Sequence, residues 1–426
     1  MRISTILSAV LLSLLLVAFL SAVPVHAALS WNVQTVDTRG AGIGNGYCPI
    51  VVDSNNTPHI AYTNLVDSTY FVMYASWNGS SWNTQTVSQG MAFSLVFDSN
   101  DNPHILFKSG WFEPLKYASW TGAKWVTQTV DKNGAGFGVV ALDLSGNPHV
   151  AYTDGTTVKY ASLVGSNWNI QTVDTYKTGE IPFQLSFSLD RNNTAYIMYG
   201  SPSSYVDNNT GIAYSSVIVK LASLKNSSWD IQNVLASSNL GSWGNMVLDS
   251  KGYPHLICML ANTLVYASWT GSAWSTKTVI SNANLRSMFL ALDSQDYPHI
   301  SYIDQALMYI YWTGSDWSTQ TVSSDTNTSV RWPCYLAVDS NGNPHISYLA
   351  TSPDIGFPNF IVYMMYATAN KTTETFTPSP TQTSSPTFSV LSLLLVFTAV
   401  IIGAVVTVVY VWKKKLGLSL KPTAIK

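Results

Sequence analysis

The residues with the most evident chemical potential are an aspartate and a histidine six positions apart, as in DSNNTPHIAY (residues 53–62) and DSNGNPHISY (residues 339–348). A carboxylate near an imidazole is suited to acid–base catalysis, and both groups bind metal ions. The string is repeated along the chain. Its paired residues are Asp53, His59, Asp98, His104, Asp143, His149, Asp249, His255, Asp293, His299, Asp339 and His345, and in a further copy Asp190 is followed by Tyr196.

This even distribution favours a structural role. Catalysis needs one asymmetric set of groups, and equivalent residues on neighbouring sheets lie about 10 Å apart, too far to share a metal ion. We expect each imidazole to pack between sheets and each aspartate to cap the backbone N–H groups of a turn. Calcium binding is the alternative for the aspartate, but most copies have one carboxylate where a calcium loop needs several. No metal site and no cofactor is predicted.

A second string alternates with the first, as in SWNGSSWNTQTV (residues 76–87) and SWTGSAWSTKTV (residues 268–279). Each unit contains four runs of alternating β-branched and aromatic residues, separated by hairpin turns. Four strands in about 45 residues correspond to one propeller blade. The seven copies predict an all-β, seven-bladed β-propeller over residues 30–369, built from four-stranded antiparallel blades.

The two ends of the repeat array complement each other. The seventh unit has no fourth strand, while SWNVQTV (residues 30–36) is a fourth strand with no unit before it. An open blade would expose unpaired backbone groups. Residues 30–37 are therefore predicted to supply the last strand of blade 7 and to close the ring.

The repeat, in the form DSxGNPHISY…YASWxGxxWxxQTV, resembles that of uncharacterised archaeal and bacterial cell-surface proteins of the sialidase-like (BNR-type) seven-bladed propeller superfamily. The resemblance covers about residues 30–368 and implies this fold, but no particular activity. The S-x-D-x-G-x-T-W box of sialidases is absent from the sequence, which argues against a glycosidase.

Targeting signals are predicted at both ends. Residues 1–27 are typical of a signal peptide, and residues 390–412 contain no charge over a length that spans a ~30 Å hydrocarbon core. Residues 370–388 are predicted to form a Ser/Thr/Pro stalk and residues 413–426 a basic cytoplasmic tail. The sequence thus predicts a single-pass cell-membrane protein whose N-terminal domain is extracellular, and seven N-x-Ser/Thr sequons agree with a glycoprotein.

Charge excludes one class of partner. Six of the 21 Lys and Arg residues lie in the signal or the tail, so the outer part carries about 15 basic and 23 acidic residues, a net charge of about −8. A nucleic-acid ligand is not expected, because phosphate neutralisation needs a basic surface.

Candidate binding residues lie where the copies differ, on the loops that join the second strand to the third and the fourth strand to the next blade. Rigid aromatic residues there suit a sugar or a protein; the alternative is that they pack loop against loop or fill the central channel. Arg39, Arg286 and Arg331 fall on loops entering blades 1, 6 and 7, which adjoin in a closed ring, and arginine suits carboxylate binding; the alternative is ordinary solvated surface. The predicted binding residues are Arg39, Arg286, Arg331, Trp332, Trp111, Trp243 and Tyr47.

Cys48 and Cys334 each precede their repeat aspartate by five residues, on blades that adjoin across the closure. An oxidising compartment would allow a disulfide there, and the sequence predicts one. Cys258 is predicted to be a buried free thiol.

The predicted function is a surface binding, adhesion or recognition module for an extracellular glycan or protein. The alternative is a carbohydrate-active enzyme, either a sialidase-like glycosidase or a polysaccharide lyase. No catalytic residues are assigned, because the two propeller Glu residues, Glu113 and Glu180, lie on different blades and nothing in the sequence brings them within the ~5–10 Å of a glycosidase pair.

Overall fold

A computed structural model provides the structure. It describes residues 29–38, 47–110, 113–134, 136–176, 183–206, 213–237, 244–260, 262–283, 285, 287–323, 329–351 and 362–370. The predicted signal peptide, membrane span and tail lie outside these residues, as does the predicted stalk beyond its first residue. Within the described residues no helix is long and apolar enough to span a membrane.

The described strands form seven four-stranded antiparallel sheets, which confirms the predicted seven-bladed propeller. The first strands of blades 1 to 7 are β2 (Ile50–Val52), β6 (Met91–Phe97), β10 (Gly138–Leu142), β14 (Phe183–Leu189), β18 (Met246–Leu248), β22 (Ser287–Leu292) and β26 (Ser329–Val338). The second strands are β3 (Pro58–Val66), β7 (Pro103–Lys108), β11 (Pro148–Asp154), β15 (Ala195–Val206), β19 (Pro254–Leu260), β23 (Pro298–Ile303) and β27 (Pro344–Thr351).

The third and fourth strands complete each blade on its outer side. The third strands are β4 (Thr69–Trp77), β8 (Leu115–Trp120), β12 (Thr157–Val164), β16 (Ala213–Lys225), β20 (Thr263–Trp269), β24 (Leu307–Trp312) and β28 (Val362–Asn370). The fourth strands are β5 (Trp82–Gln89), β9 (Trp125–Asp131), β13 (Asn167–Thr175), β17 (Ser228–Ser237), β21 (Trp274–Ile280), β25 (Trp317–Ser323) and, for blade 7, β1 (Ser30–Asp37). We call the edge that carries the second-to-third and fourth-to-first connections the loop face, and the opposite edge the turn face.

The blades form a closed ring, because each first strand lies against the first strands of both neighbouring blades. Blade 7 has the strand order β1-β28-β27-β26, so the N-terminal strand supplies its outermost position as the sequence predicts. Ser30 pairs with Asn370 and Thr35 with Met365 in this closing ladder. Both ends of the propeller chain therefore meet in one blade.

Polar side chains of one blade bond to the backbone of the next blade across the junctions between blades. Ser94 Oγ accepts a hydrogen bond from Val140 N–H at 3.3 Å, and Asn245 both donates to and accepts from the backbone of Leu290 in the next blade. Similar side-chain-to-backbone bonds occur at six of the seven junctions in the described part of the chain, with Thr63, Ser186, Ser287 and Ser347 as the other four side chains. These bonds satisfy buried backbone groups that the blade ladders leave free.

Apolar side chains fill the space between neighbouring blades. Near the turn face, a tyrosine on the third strand of one blade meets the tryptophan that begins the fourth strand of the next, with ring centroids 5.0–5.8 Å apart. Edge-to-face packing of this kind adds stability beyond the buried area. In blade 4, Leu221 replaces the tyrosine and packs with Trp274 of blade 5.

The two cysteines at the closure are buried, but they are not bonded to each other. Cys48 Sγ points at the carbonyl oxygen of Pro333, 3.8 Å away, whereas Cys334 Sγ lies 3.7 Å and 3.6 Å from the hydroxyls of Ser287 and Ser301. The predicted disulfide is therefore not formed in this structure, because each sulfur faces a different polar partner. Burial raises the pKa of the Cys334 thiol to about 11.

Candidate functional site on the loop face

The repeat aspartates build the turns between first and second strands. In each of the seven turns, one carboxylate oxygen accepts the backbone N–H groups two and four residues later, at 2.7–2.9 Å. The residue three positions after the aspartate has a positive φ, which suits Asn, Asp and Gly. These residues are Asn56, Asp101, Gly146, Asn193, Gly252, Asp296 and Gly342.

Each of the six histidines lies between its aspartate and a tyrosine on the third strand of the same blade, and Nε2 is within hydrogen-bond geometry of the aspartate in blades 1 and 6. In blade 1, His59 Nε2 lies 3.3 Å from Asp53 Oδ2 and Nδ1 lies 2.6 Å from the hydroxyl of Tyr74. The Nε2–Oδ2 distance is 3.3–3.6 Å in all six copies. The corresponding tyrosines are Tyr117, Tyr160, Tyr266, Tyr309 and Tyr366.

Burial determines the protonation states of the histidine and the tyrosine in each of these Asp–His–Tyr sets. Burial lowers the pKa of His59 and raises that of Tyr74, so the imidazole is neutral and the phenol keeps its proton at neutral pH. Burial alone would raise the pKa of Asp53, but hydrogen bonds from Thr57 N–H, His59 and Asn55 N–H lower it. The phenol then donates to Nδ1, and Nε2–H faces the carboxylate. In blade 4, Tyr196 replaces the histidine and Leu221 replaces the tyrosine of the third strand, while the aspartate turn is retained.

Acid is expected to destabilise this fold. The histidines with a lowered pKa (His59, His104, His149 and His255) bind protons less readily in the folded state, so stability falls as the pH drops below about 6.5. The pKa values of Asp53, Asp98 and Asp143 are lowered and those of Asp293 and Asp339 are about 2, which extends the loss below pH 3.8. We expect the urea midpoint of unfolding to decrease continuously from pH 7 to pH 4.5; a midpoint that is constant or rises over this range would contradict the assignment of neutral imidazoles.

Several predicted binding residues lie outside the described residues. These are Arg39, Trp111, Trp243 and Arg286, while Arg331 and Trp332 lie on β26 with side chains outside the described set. Tyr47 is described, and its ring centroid lies 5.4 Å from that of Phe93 and 5.3 Å from that of Phe137. We call these three residues the aromatic cluster. Phe93 lies on β6 and Phe137 directly precedes β10, so Tyr47 packs against blades 2 and 3, and Phe137 is 41 % exposed.

Two polar clusters on the loop face were missed by the sequence prediction. Cluster A, at the junction of blades 2 and 3, consists of Asp131, Tyr152, Asp154 and Lys159. Tyr152 Oη donates to Asp131 Oδ2 at 2.7 Å, and Lys159 Nζ lies 3.3 Å from the same oxygen and 2.5 Å from Asp154 Oδ2. Asp131 Oδ1 accepts the Asn133 N–H at 2.9 Å.

Cluster B occupies the equivalent place at the junction of blades 3 and 4, and consists of Asp174, Tyr176, Tyr199 and Lys220. Both phenols and the ammonium group donate to Asp174 Oδ2, each at 2.9 Å. Lys220 Nζ also lies 5.1 Å from the ring centroid of Tyr176, within cation–π range. Three donors thus converge on one carboxylate oxygen.

The charges of both clusters are set by their partners. Burial would raise the pKa of Asp174, but hydrogen bonds from Lys220, Tyr199 and Tyr176 lower it. Burial also raises the pKa of Tyr199 and Tyr176, so both remain phenols at neutral pH. These tyrosines are therefore hydrogen-bond donors rather than bases, and both donate to Asp174. The partly exposed ammonium group of Lys220 has further N–H groups to offer a ligand.

Blade 4 rises above the loop face beside cluster B. Its second strand has 12 residues and its third 13, against 6 each in blade 6. Backbone pairing continues without interruption to Val206 and Ala213. Six of the additional residues in each strand lie on the loop side and extend the hairpin by about 20 Å. We call this extension the arm; cluster B lies at its base, because Tyr199 and Lys220 belong to the same two strands.

A sequence signal for the clusters existed. Aspartate follows the QTV string only at positions 37, 131 and 174, and lysine precedes the YAS or LAS string only at positions 116, 159 and 220. Clusters A and B lie at the two junctions where the aspartate of one blade and the lysine of the next blade both occur. Recognising them requires knowing that the fourth strand of one blade faces the second and third strands of the next.

Comparison with known proteins supports the fold alone. No protein-family model matches the chain, and no curated protein matches it. Among solved structures, the polysaccharide lyase Uly1 is similar with a TM-score of 0.57 and 8 % identity, over 81 % of this chain and all of the other. An ulvan lyase of a new polysaccharide lyase family, solved with -[GlcA(1-4)Rha3S]- bound, has a TM-score of 0.54 and 11 % identity, over 78 % of this chain and 95 % of that one.

Proposed function

We propose that this protein is a membrane-anchored extracellular module that binds a glycan on its loop face without turning it over. The observation that carries the proposal is the pair of clusters on the loop face, where ammonium and carboxylate groups are partly exposed. Among the cluster tyrosines Tyr176 is partly exposed, whereas Tyr152 and Tyr199 are buried. Side-chain exposure is 18 % for Lys159, 26 % for Asp154 and 21 % for Lys220. Charged hydrogen-bonding groups are suited to sugar hydroxyls, and the partly exposed ring of Tyr176 in cluster B is suited to the apolar face of a sugar ring.

The fold neighbours favour a second candidate, a polysaccharide lyase. Elimination needs a base that removes a proton from the sugar, with a pKa near the working pH. In the two clusters the tyrosines keep their protons and Asp131 and Asp174 have lowered pKa values, which supports binding over this chemistry. The predicted arginine set remains a further proposal for carboxylate binding.

A glycan array probed with the full chain, with calcium and with chelator, tests the proposal. Loss of one charge-assisted hydrogen bond costs about 1.5–3 kcal/mol, or about 10–100-fold in affinity. We therefore expect Lys220→Met to weaken binding of an array hit at least tenfold, as measured by titration calorimetry.

The matched control is Lys116→Met. Lys116 stands at the equivalent position of blade 2, where it is paired with Phe107 rather than a tyrosine. The Lys116→Met variant should bind the array hit with unchanged affinity. Equal loss in both variants, or none in Lys220→Met, would exclude cluster B as the binding site, and release of unsaturated or hydrolysed products by the full chain would favour the enzyme.

A further inference from the structure

Clusters A and B are built from equivalent positions on successive blades. Lys159 is in register with Tyr152 on the neighbouring strand, and Lys220 is in register with Tyr199 in the same way. In each cluster the tyrosine donates to an aspartate at the end of the preceding blade's fourth strand. The two clusters are thus two copies of one arrangement, one blade apart.

One junction of the propeller forms the same contact without a lysine. At the junction of blades 7 and 1, Tyr62 donates to Asp37 Oδ2 at 2.6 Å, and the residue in register with Tyr62 is Met73. Methionine also occupies this position in blades 6 and 7, as Met308 and Met365. At the junction of blades 7 and 1 the tyrosine–aspartate contact thus forms with methionine at the lysine position.

Charge restricts the ligand that the clusters accept. Cluster A carries two carboxylates and one ammonium group, and cluster B one of each, so both lysines are already paired with carboxylates. An acidic sugar brought to either cluster would meet the carboxylates at close range, and the outer part of the chain is itself acidic. An uncharged sugar meets no such repulsion and finds both donors and acceptors.

Spacing suggests a polymer. Equivalent positions on neighbouring blades are separated by about 10 Å, the usual distance between packed sheets. A ligand that reaches from one cluster to the other must therefore contain more than one sugar unit, and two linked contacts strengthen binding through effective concentration.

We propose that clusters A and B are two equivalent subsites that together bind a linear, uncharged glycan. This inference rests on the proposed glycan-binding function and specifies its ligand class. Lys159 and Lys220 donate to sugar hydroxyls, Asp154 accepts from them, and the ring of Tyr176 provides a surface for a sugar face.

The test compares oligosaccharide length and charge by titration calorimetry with the full chain. The uncharged probes are cello-, manno- and chito-oligosaccharides from monosaccharide to hexasaccharide, and the acidic probes are oligogalacturonates of the same lengths. We expect an uncharged hexasaccharide to bind at least about tenfold more tightly than its monosaccharide. Lys159→Met and Lys220→Met should each remove most of this length dependence, and Lys116→Met should retain it.

Three results would overturn the inference: equal affinity for monosaccharide and hexasaccharide, tighter binding of oligogalacturonate than of every uncharged series, or no binding of any uncharged probe. If an acidic glycan binds and Lys220→Met abolishes its binding, the proposed function stands while the inference fails. If no sugar on the array binds at all, both fail. Thermal melting of each variant shows that lost binding is not lost folding, since methionine is the native residue at this position in three blades.

Discussion

Deletion of residues 29–37 is expected to abolish cooperative folding. This segment contains β1, which completes blade 7 by pairing with β28. It also contacts both neighbouring blades: the Trp31 ring lies 5.2 Å from Tyr309 of blade 6, and Gln34 Oε1 accepts the Trp82 indole N–H of blade 1 at 3.1 Å. Losing these contacts and the ladder removes about 5–10 kcal/mol, comparable to the whole stability of an ordinary domain.

Thermal and urea unfolding followed by circular dichroism measure this effect in the full chain. Val33→Thr is the control within the same strand, because Val33 is 39 % exposed and threonine occupies the equivalent position in blade 1 as Thr84. The Val33→Thr variant should unfold at the same temperature and urea concentration as the parent protein. A deletion variant with a cooperative transition within a few degrees of the parent would show that ring closure does not depend on β1.

His299→Ala is expected to destabilise the propeller by about 3–5 kcal/mol. His299 is 2 % exposed, and its Nε2 lies 3.4 Å from Asp293 Oδ2 while Nδ1 bonds to the Tyr309 hydroxyl. Removing the imidazole leaves a cavity, a buried phenol and a buried carboxylate without their partner, and each adds to the cost. The urea midpoint, with an unchanged slope, reports the loss.

A double-mutant cycle with Tyr309→Phe separates the hydrogen bond from packing. The phenylalanine keeps the ring against Trp31 and removes the hydroxyl. Because each single change leaves the other residue's polar atom unpaired, the double variant should lose less stability than the sum of the two. Additive losses, or a His299→Ala variant within about 0.5 kcal/mol of the parent, would contradict the structural role of the histidine.

The repeat made most of the fold predictable. Strand alternation, hairpin turns and the spacing of Asp53 from its later copies are properties of a short stretch of chain, and they recur often enough to be recognised without a tertiary model. The missing fourth strand of the last unit likewise pointed to the closing strand at residues 30–37. The positive φ of residues such as Asn56 and Gly342 was also predictable, because it is set within the short turn that follows the repeat aspartate.

The candidate site was less predictable. Exposed aromatic residues were expected either to form a binding surface or to pack between loops, and Tyr47 packs against Phe93 and Phe137 from two other blades. Neither its packing nor the direction of Cys48 Sγ toward Pro333 is encoded in a motif. Both depend on where loops from different blades meet, and a single sequence contains no direct record of such contacts.

The sequence by itself determined the number of blades, their strands, the closing strand and the residues that build each turn, because each of these depends on interactions within about 45 residues or on counting the copies. Only the tertiary structure decided that Asp131 and Asp174 receive a lysine and a tyrosine from the next blade. Those partners lie 21 to 46 residues away and meet only when neighbouring blades pack. The physical reason is that strand formation is local, whereas the clusters on the loop face form between blades.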